Sequence, residues 1–213
     1  MNRRRFIFAC AALLAFAGTV TLPSAGRADA RSDAAAKFVQ DLGARAIDVL
    51  VKPQLARDES MRRFRVLLNE GFDVPYISRF VLGQYWRTAT TQQQREYGAL
   101  FERLIVQVYA DRFAQYSGKN LDVNETLKIT GNRPEGETDS IVSSQIIPPD
   151  APPVAVDWRI RPRGDALKVI DVAVEGVSMS VTQRSEFSSV IQRGGGNIEA
   201  LLQSLRQRVG EAG

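Results

Sequence analysis

The chain has 213 residues, 28 of them basic and 24 acidic, with no histidine and a single cysteine, Cys10. That length is enough for one sizeable core or two small ones. The missing histidine removes the commonest general base and the commonest metal ligand, and one cysteine excludes an internal disulfide.

The first thirty residues read as a segment apart. They run from the basic "MNRRRFIF" through the apolar "ACAALLAFAGTV" to "GRADA". A basic start, a short apolar stretch and an A-x-A site are the order of a secretory signal peptide. Cleavage after Ala28-Asp29-Ala30 makes Arg31 the mature N-terminus. An uncleaved anchor is the alternative, although the apolar run is short for a membrane span. "NRRRFIF" fits both a twin-arginine and a plain Sec signal. Either route points to a bacterial periplasm. From Arg31 onward the chain carries 24 basic and 23 acidic residues, net +1. The basic balance of the whole chain is therefore no sign of nucleic-acid binding. Cys10 leaves with the signal.

Helical patterns fill the next part. "SDAAAKFVQDLGARAIDVLVK" starts at a cap, Ser32 or Asp33, sets Phe38, Val39, Leu42, Ala46, Val49 and Leu50 on one side, and stops at Pro53. "RDESMRRFRVLLNEG" is a second helix, ending near Gly71. "VPYISRFVLGQYWRTAT" starts a third at the cap Asp73, with Pro75 in its first turn, and is expected to run to residue 88. Thr90 or Thr91 caps a fourth. Tyr97, Leu100, Phe101, Leu104, Ile105, Val108, Tyr109, Phe113 and Tyr116 form its apolar stripe, and Gly118 ends it.

The period then changes to two. "LDVNETLKIT" alternates at Leu121, Val123, Leu127 and Ile129, and "GNRPEGE" reads as a connector. "TDSIVSSQII" follows. In "VAVDWRIR", Val154, Val156, Trp158 and Ile160 oppose Asp157, Arg159 and Arg161. In "ALKVIDVAVEG", Ile170, Val172 and Val174 oppose Asp171 and Glu175. Four strands with short polar turns predict an antiparallel meander covered on one face. Two short helices close the chain around "RSEFSSVIQR" and "NIEALLQSLRQR", separated by Gly194-Gly195-Gly196. The fold class is α+β, a four-stranded antiparallel sheet under a helical layer.

No catalytic constellation stands out, and the chain is read as not an enzyme. Asp171 and Glu175 read as a solvated face, Asp157 and Asp165 as an edge charge and a turn residue. The triple glycine lacks the Lys-Ser/Thr of a phosphate loop. "GVSMS" lacks the second glycine of a nucleophile elbow. What remains is an excess of apolar wall, in Ile77, Phe80, Val81, Tyr85, Trp86 and the long stripe. A filled core and a ligand-lining wall predict the same pattern.

Three stretches, "FDVPYISRFVLGQYWRTAT", "VDWRIRPRGDALKVIDVAVEGVSM" and "QRSEFSSVIQR", resemble the MlaC-type periplasmic phospholipid carriers, also called toluene-tolerance auxiliary proteins of ABC transporters. The resemblance runs from about Ala35 to Arg208. It implies one carrier domain over 31–213, helical to about 117, with the sheet and closing helices over about 118–209. It implies a sheet like that of the nuclear-transport-factor superfamily and an apolar cavity between sheet and helices.

The cargo implied is phospholipid, with no other cofactor and no metal. The implied partners are an inner-membrane ABC transporter complex with its lipid-receiving subunit and an outer-membrane lipoprotein–porin complex, with outer-membrane lipid asymmetry as the outcome. The cavity lining is expected from Ile77, Phe80, Val81, Tyr85, Phe101, Leu104, Ile105, Val108, Tyr109, Val142, Val156, Trp158, Ile170, Val172 and Val174. Arg79, Arg87 and Arg112 are the candidates for a lipid phosphate. Thr182-Gln183 stands where the family often has Asn-Tyr, so a hopanoid or other lipid is the alternative cargo. A periplasmic interaction module without ligand is the alternative class, and a hydrolase of unfamiliar design a third.

Overall fold

The computed structural model describes residues 25–50, 56–114 and 121–210. The expected signal up to residue 24, the helix stop at Pro53 and the helix end at Tyr116 and Gly118 lie outside the described residues, as do the side chains of Val49, Leu50 and Phe113.

Helix α1 (Ala25–Leu50) starts earlier than its expected cap. Nothing after Gly26 in "RADARSDAAAK" breaks a helix, and alanine and arginine favour one. Ser32 therefore lies inside α1, 1% exposed, and Asp33 accepts a hydrogen bond from Asn132 instead of capping. The Ala28-Asp29-Ala30 site is helical too. Helix α2 (Arg57–Gly71) buries Phe64, Leu67, Leu68 and Gly71, the spacing of one helical stripe.

The expected third helix is broken in two, α3 (Val74–Leu82) and α4 (Tyr85–Thr88). Asp73 caps α3 as expected, accepting from the Tyr76 N–H at 3.0 Å. The break is at Gly83, whose φ of 60° and ψ of −128° no helix accommodates. Helix α5 (Thr91–Ala114) opens with a reciprocal capping pair. Thr90 Oγ1 accepts from the Gln93 N–H, and Gln93 Oε1 accepts from the Thr90 N–H.

The sheet has five strands in the order β1-β2-β3-β4-β5, each pair antiparallel. They are β1 (Leu127–Glu135), β2 (Asp139–Ile146), β3 (Val154–Arg163), β4 (Ala166–Val174) and β5 (Val177–Ser178). The alternation at Leu121 and Val123 is not strand. Asp122 caps a helical turn, α6 (Val123–Thr126), by accepting from the Asn124 N–H. The strand instead runs on through "GNRPE", with a bulge between Ile129 and Gly131. Pro134 is tolerated there because β1 is an edge. The fifth strand, too short to read from sequence, follows a turn in which both Glu175 and Gly176 have positive φ.

Two closing helices follow, α7 (Met179–Arg193) and α8 (Ile198–Gly210). Gly195 and Gly196, with φ of 78° and 82°, form the turn between them. One core joins α1, α2, α3, α5, α7 and α8 to Leu127, Val142, Ile160 and Val169 of the sheet. Helix α1 lies on β1 and β2, while α7, α2 and α3 meet β4. Lys168 of β4 donates to the carbonyls of Asn69 and Glu70 at the end of α2.

Candidate functional site

Directly paired residues of an antiparallel sheet share a face. Val142 pairs with Trp158 and Trp158 with Val172; Ser144 pairs with Val156 and Val156 with Val174. Ile160 pairs with Val169, because a register shift between Arg159 and Ile160 leaves Ile170 as the extra residue on β4. The expected row Ile170, Val172, Val174 is thus corrected to Val169, Val172 and Val174, with Ile170 buried at the bulge.

Cover over this face is uneven. At one end Val142, Ile160 and Val169 are at most 1% exposed. Toward the other end Ile146, Val154, Trp158, Val172 and Val174 are only half-buried, as is Ile129 of β1. Val156 is buried without joining the core cluster. Trp158 is held in orientation: its indole N–H donates to Ser144 Oγ at 2.9 Å, and that hydroxyl donates to the Val156 carbonyl.

The helical residues divide in the same way. Val81, Phe101 and Leu104 are packed core. Tyr97 and Phe187 complete that cluster with Phe101, the Phe187 ring edge-on to both. Tyr97 donates to the Ser78 carbonyl at 3.0 Å, and burial pushes its phenol pKa up. Ile77, Phe80, Tyr85, Ile105 and Tyr109 are half-buried against the core, and Val108 is 39% exposed. The stripe is not the only buried side of α5. Val106 and Gln107 are buried as well, because α8 packs on α5, and Gln107 donates its amide to the Val209 carbonyl.

A basin of about 470 Å³ opens between α3, α4 and α7. Tyr76, Phe80 and Trp86 line it together with Arg79, Arg87 and Arg184. Arg184 lies 5.3 Å over the Phe80 ring, and Arg79 5.9 Å over Trp86. Of the three expected phosphate partners, Arg79 and Arg87 are brought together here. Arg112 is not: it lies over Tyr109 on α5. Arg184 and Tyr76 were not singled out, because their meeting depends on how α7 docks on α3.

The carboxylates read as solvated have structural partners. Asp171 accepts from Ser178 Oγ at 2.6 Å and from the Ser180 N–H, anchoring the start of α7. Glu175 Oε1 accepts from the Ala155 N–H at 2.6 Å. Asp139, unremarked in the sequence, is 2% exposed and sits between Arg159 and Arg161. Burial by itself would raise its pKa. Hydrogen bonds from Arg161, Arg159 and Thr138 outweigh that and hold it down at about 2. Arg161 and Arg163 both lie over the Tyr76 ring, and Arg163 pairs with Asp73. The arginines of β3 thereby fasten α3 to the sheet.

Among the described residues, no group of three or more His, Cys, Asp or Glu is placed to hold a metal ion, and no helix is long and apolar enough to cross a membrane.

Similarity to known proteins fits this geometry. The toluene tolerance protein ttg2D of Pseudomonas putida is 22% identical over 147 residues, which is 68% of this chain and 66% of that protein. The match thus spans just under two thirds of that relative. The phospholipid-binding protein from Ralstonia solanacearum, solved in complex with a phospholipid, is 23% identical, with a TM-score of 0.64 over 87% of this chain and 98% of that one. At this identity the likeness establishes the fold. The sequence model of the MlaC protein family matches residues 40–207, and with most of its length so covered the chain belongs to the MlaC family.

Proposed function

We propose that the protein is a periplasmic carrier that holds phospholipid tails between its sheet and its helices. The observation that carries this reading is the uneven cover of the sheet. The apolar face is sealed over Val142, Ile160 and Val169 at one end, while Ile129, Ile146, Trp158, Val172 and Val174 are only half-buried toward the other. Ile105, Tyr109 and Val108 of α5 supply apolar side chains that are likewise not fully covered. Several of these side chains also border the core, and an apolar ligand on this face would cover what they leave open.

Physical necessity gives the surface a task. Two acyl chains carry about 30 methylenes, and exposing them to water costs on the order of 20 kcal/mol at ~0.8 kcal/mol per CH₂. A dry apolar lining replaces the bilayer interior, so transfer is nearly neutral and its direction comes from the partners. In this reading residues 31–213 form the carrier domain. The lining comes from the half-buried set above with Ile77, Phe80, Tyr85 and Val156, while Val81, Phe101, Leu104, Val142 and Ile170 back it. The partners are an inner-membrane ABC transporter complex and an outer-membrane lipoprotein–porin complex. The protein performs no catalysis, in keeping with a chain without histidine.

The test is native mass spectrometry of protein purified without detergent, followed by solvent extraction. Bound mass in the phospholipid range, near one lipid per chain, is the expected outcome. Hopanoid in the extract would change the cargo. A bare chain would overturn the carrier reading.

A further inference from the structure

The basin between α3, α4 and α7 has a composition the apolar lining does not explain. Arg79, Arg87 and Arg184 converge on it, and no carboxylate is among its lining residues. Among the described residues, none of the three has an ion-pair partner; Arg79 lies over the Trp86 ring and Arg184 over the Phe80 ring. Elsewhere in the fold, Arg159, Arg161, Arg163 and Arg206 each lie against a carboxylate. Three like charges in one concavity repel, and a bound anion would relieve them.

The geometry points to a site for a phosphate group, that of the headgroup of a carried phospholipid. Guanidinium forks match phosphate oxygens in pairs. Arg184 is held in place for this, with the Gly83 backbone beneath it and the Phe80 ring against it. The aromatic floor of Tyr76, Phe80 and Trp86 suits the ester and glycerol portion and gives a free inorganic anion nothing extra. Phe80 also packs on the core, so the basin adjoins the apolar interior. The inference rests on the carrier reading and adds a headgroup end to it.

The test uses the exported protein stripped of lipid and three probes: dihexanoyl phosphatidylglycerol, dihexanoylglycerol and inorganic phosphate. Binding is measured by calorimetry for the wild type, Arg79→Gln, Arg87→Gln and their double variant, with Arg112→Gln as an off-basin control. The basin variants change exposed side chains, and the thermal midpoint of each confirms folding. Each single variant is expected to weaken phosphatidylglycerol about tenfold, the size of one charge-assisted contact, and the double variant more. Dihexanoylglycerol should bind all forms alike, and Arg112→Gln should match the wild type. Equal phosphatidylglycerol affinity in the wild type and the double variant would overturn the site. Inorganic phosphate binding as tightly as phosphatidylglycerol would overturn the headgroup assignment in favour of a free anion. Wild-type protein that takes up neither lipid would bring down the carrier reading itself, and the headgroup assignment with it.

Discussion

The guanidinium of Arg184 lies directly on Gly83: a Cβ placed there would come within 2.8 Å of Nε and 3.1 Å of Cζ. The contact joins "VLGQYW" to "QRSEF", two stretches about a hundred residues apart. Gly83 is thus required twice, for its positive φ and for the room Arg184 takes. Gly83→Ala is expected to cost about 1–3 kcal/mol in urea unfolding. Adding Arg184→Ala should return the steric part of that loss and leave the backbone part. A double-mutant cycle that is strictly additive would show that the two residues do not press on each other.

Asp139 gives an acid limb to stability. Its carboxyl titrates near 2 in the folded protein against an ordinary 3.8. A depressed pKa stabilises the fold above the unfolded value, and that contribution fades as pH falls from 3.8 through about 2. The amount is on the order of 2 kcal/mol. Asp139→Asn should be less stable at neutral pH and should lack this part of the acid loss. Parallel denaturation curves for both proteins from pH 5 to pH 2 would contradict the assignment.

Val172 and Leu104 separate lining from core. Leu104 is 7% exposed within the core cluster, so Leu104→Ala should cost about 2–5 kcal/mol with or without lipid. Val172 is half-buried at the margin of that cluster, on the less covered part of the sheet face. Val172→Trp should lower bound lipid per folded molecule and leave the melting temperature of the lipid-free protein nearly unchanged. In a filled core the same enlargement costs about 1–3 kcal/mol. A large fall in melting temperature with lipid content intact would move Val172 into the core.

Tyr97 tests the joint between α5 and α3. Tyr97→Phe removes the hydrogen bond to the Ser78 carbonyl and keeps the aromatic contacts with Phe101 and Phe187. The expected loss is ~1–2 kcal/mol, part of it from a carbonyl left without its partner. No change in the urea midpoint would mean that water replaces the phenol.

Much of the fold is written in local chemistry. Asp73 and Thr90 cap helices where their side chains predict it, and the alternation in β3 reads directly. The errors lie where a distant partner decides. Gly83 is a candidate stop, but the apolar pattern runs on through Tyr85 and Trp86 and reads as one helix across it. The pattern of β4 misplaces Ile170 because a bulge is a property of two strands. Val106 and Gln107 look like the outer side of α5 until α8 covers them.

Of the candidate lining, the sequence makes legible which side chains turn inward and no more. Apolar periodicity identified Ile105, Tyr109, Trp158 and Val172, which remain incompletely covered, along with Val81 and Phe101, which the core takes up. Periodicity reports which side chains turn inward and is blind to whether another side chain meets them. Arg79 and Arg87 stood out by sitting in an apolar stretch. Arg184 stands in a stretch that carries the family resemblance, but only the docking of α7 brings it to Arg79 and Arg87.

The edges of the sheet bear on how the molecule meets copies of itself. β1 carries a bulge after Ile129, then Arg133 and Pro134, which lacks a donor. At the far side β5 is two residues long, and the nearby stretch of β4 is engaged by Phe72 and Asp73, the latter donating to the Val169 carbonyl. Apolar strands that are only half-covered invite fibrils or stacked sheets, which grow by recruiting a straight, unpaired margin. Here both margins are spoiled for that purpose. Growth by strand addition is therefore blocked at both margins, so any self-association of the molecule has to run through the half-covered face and not through the edges.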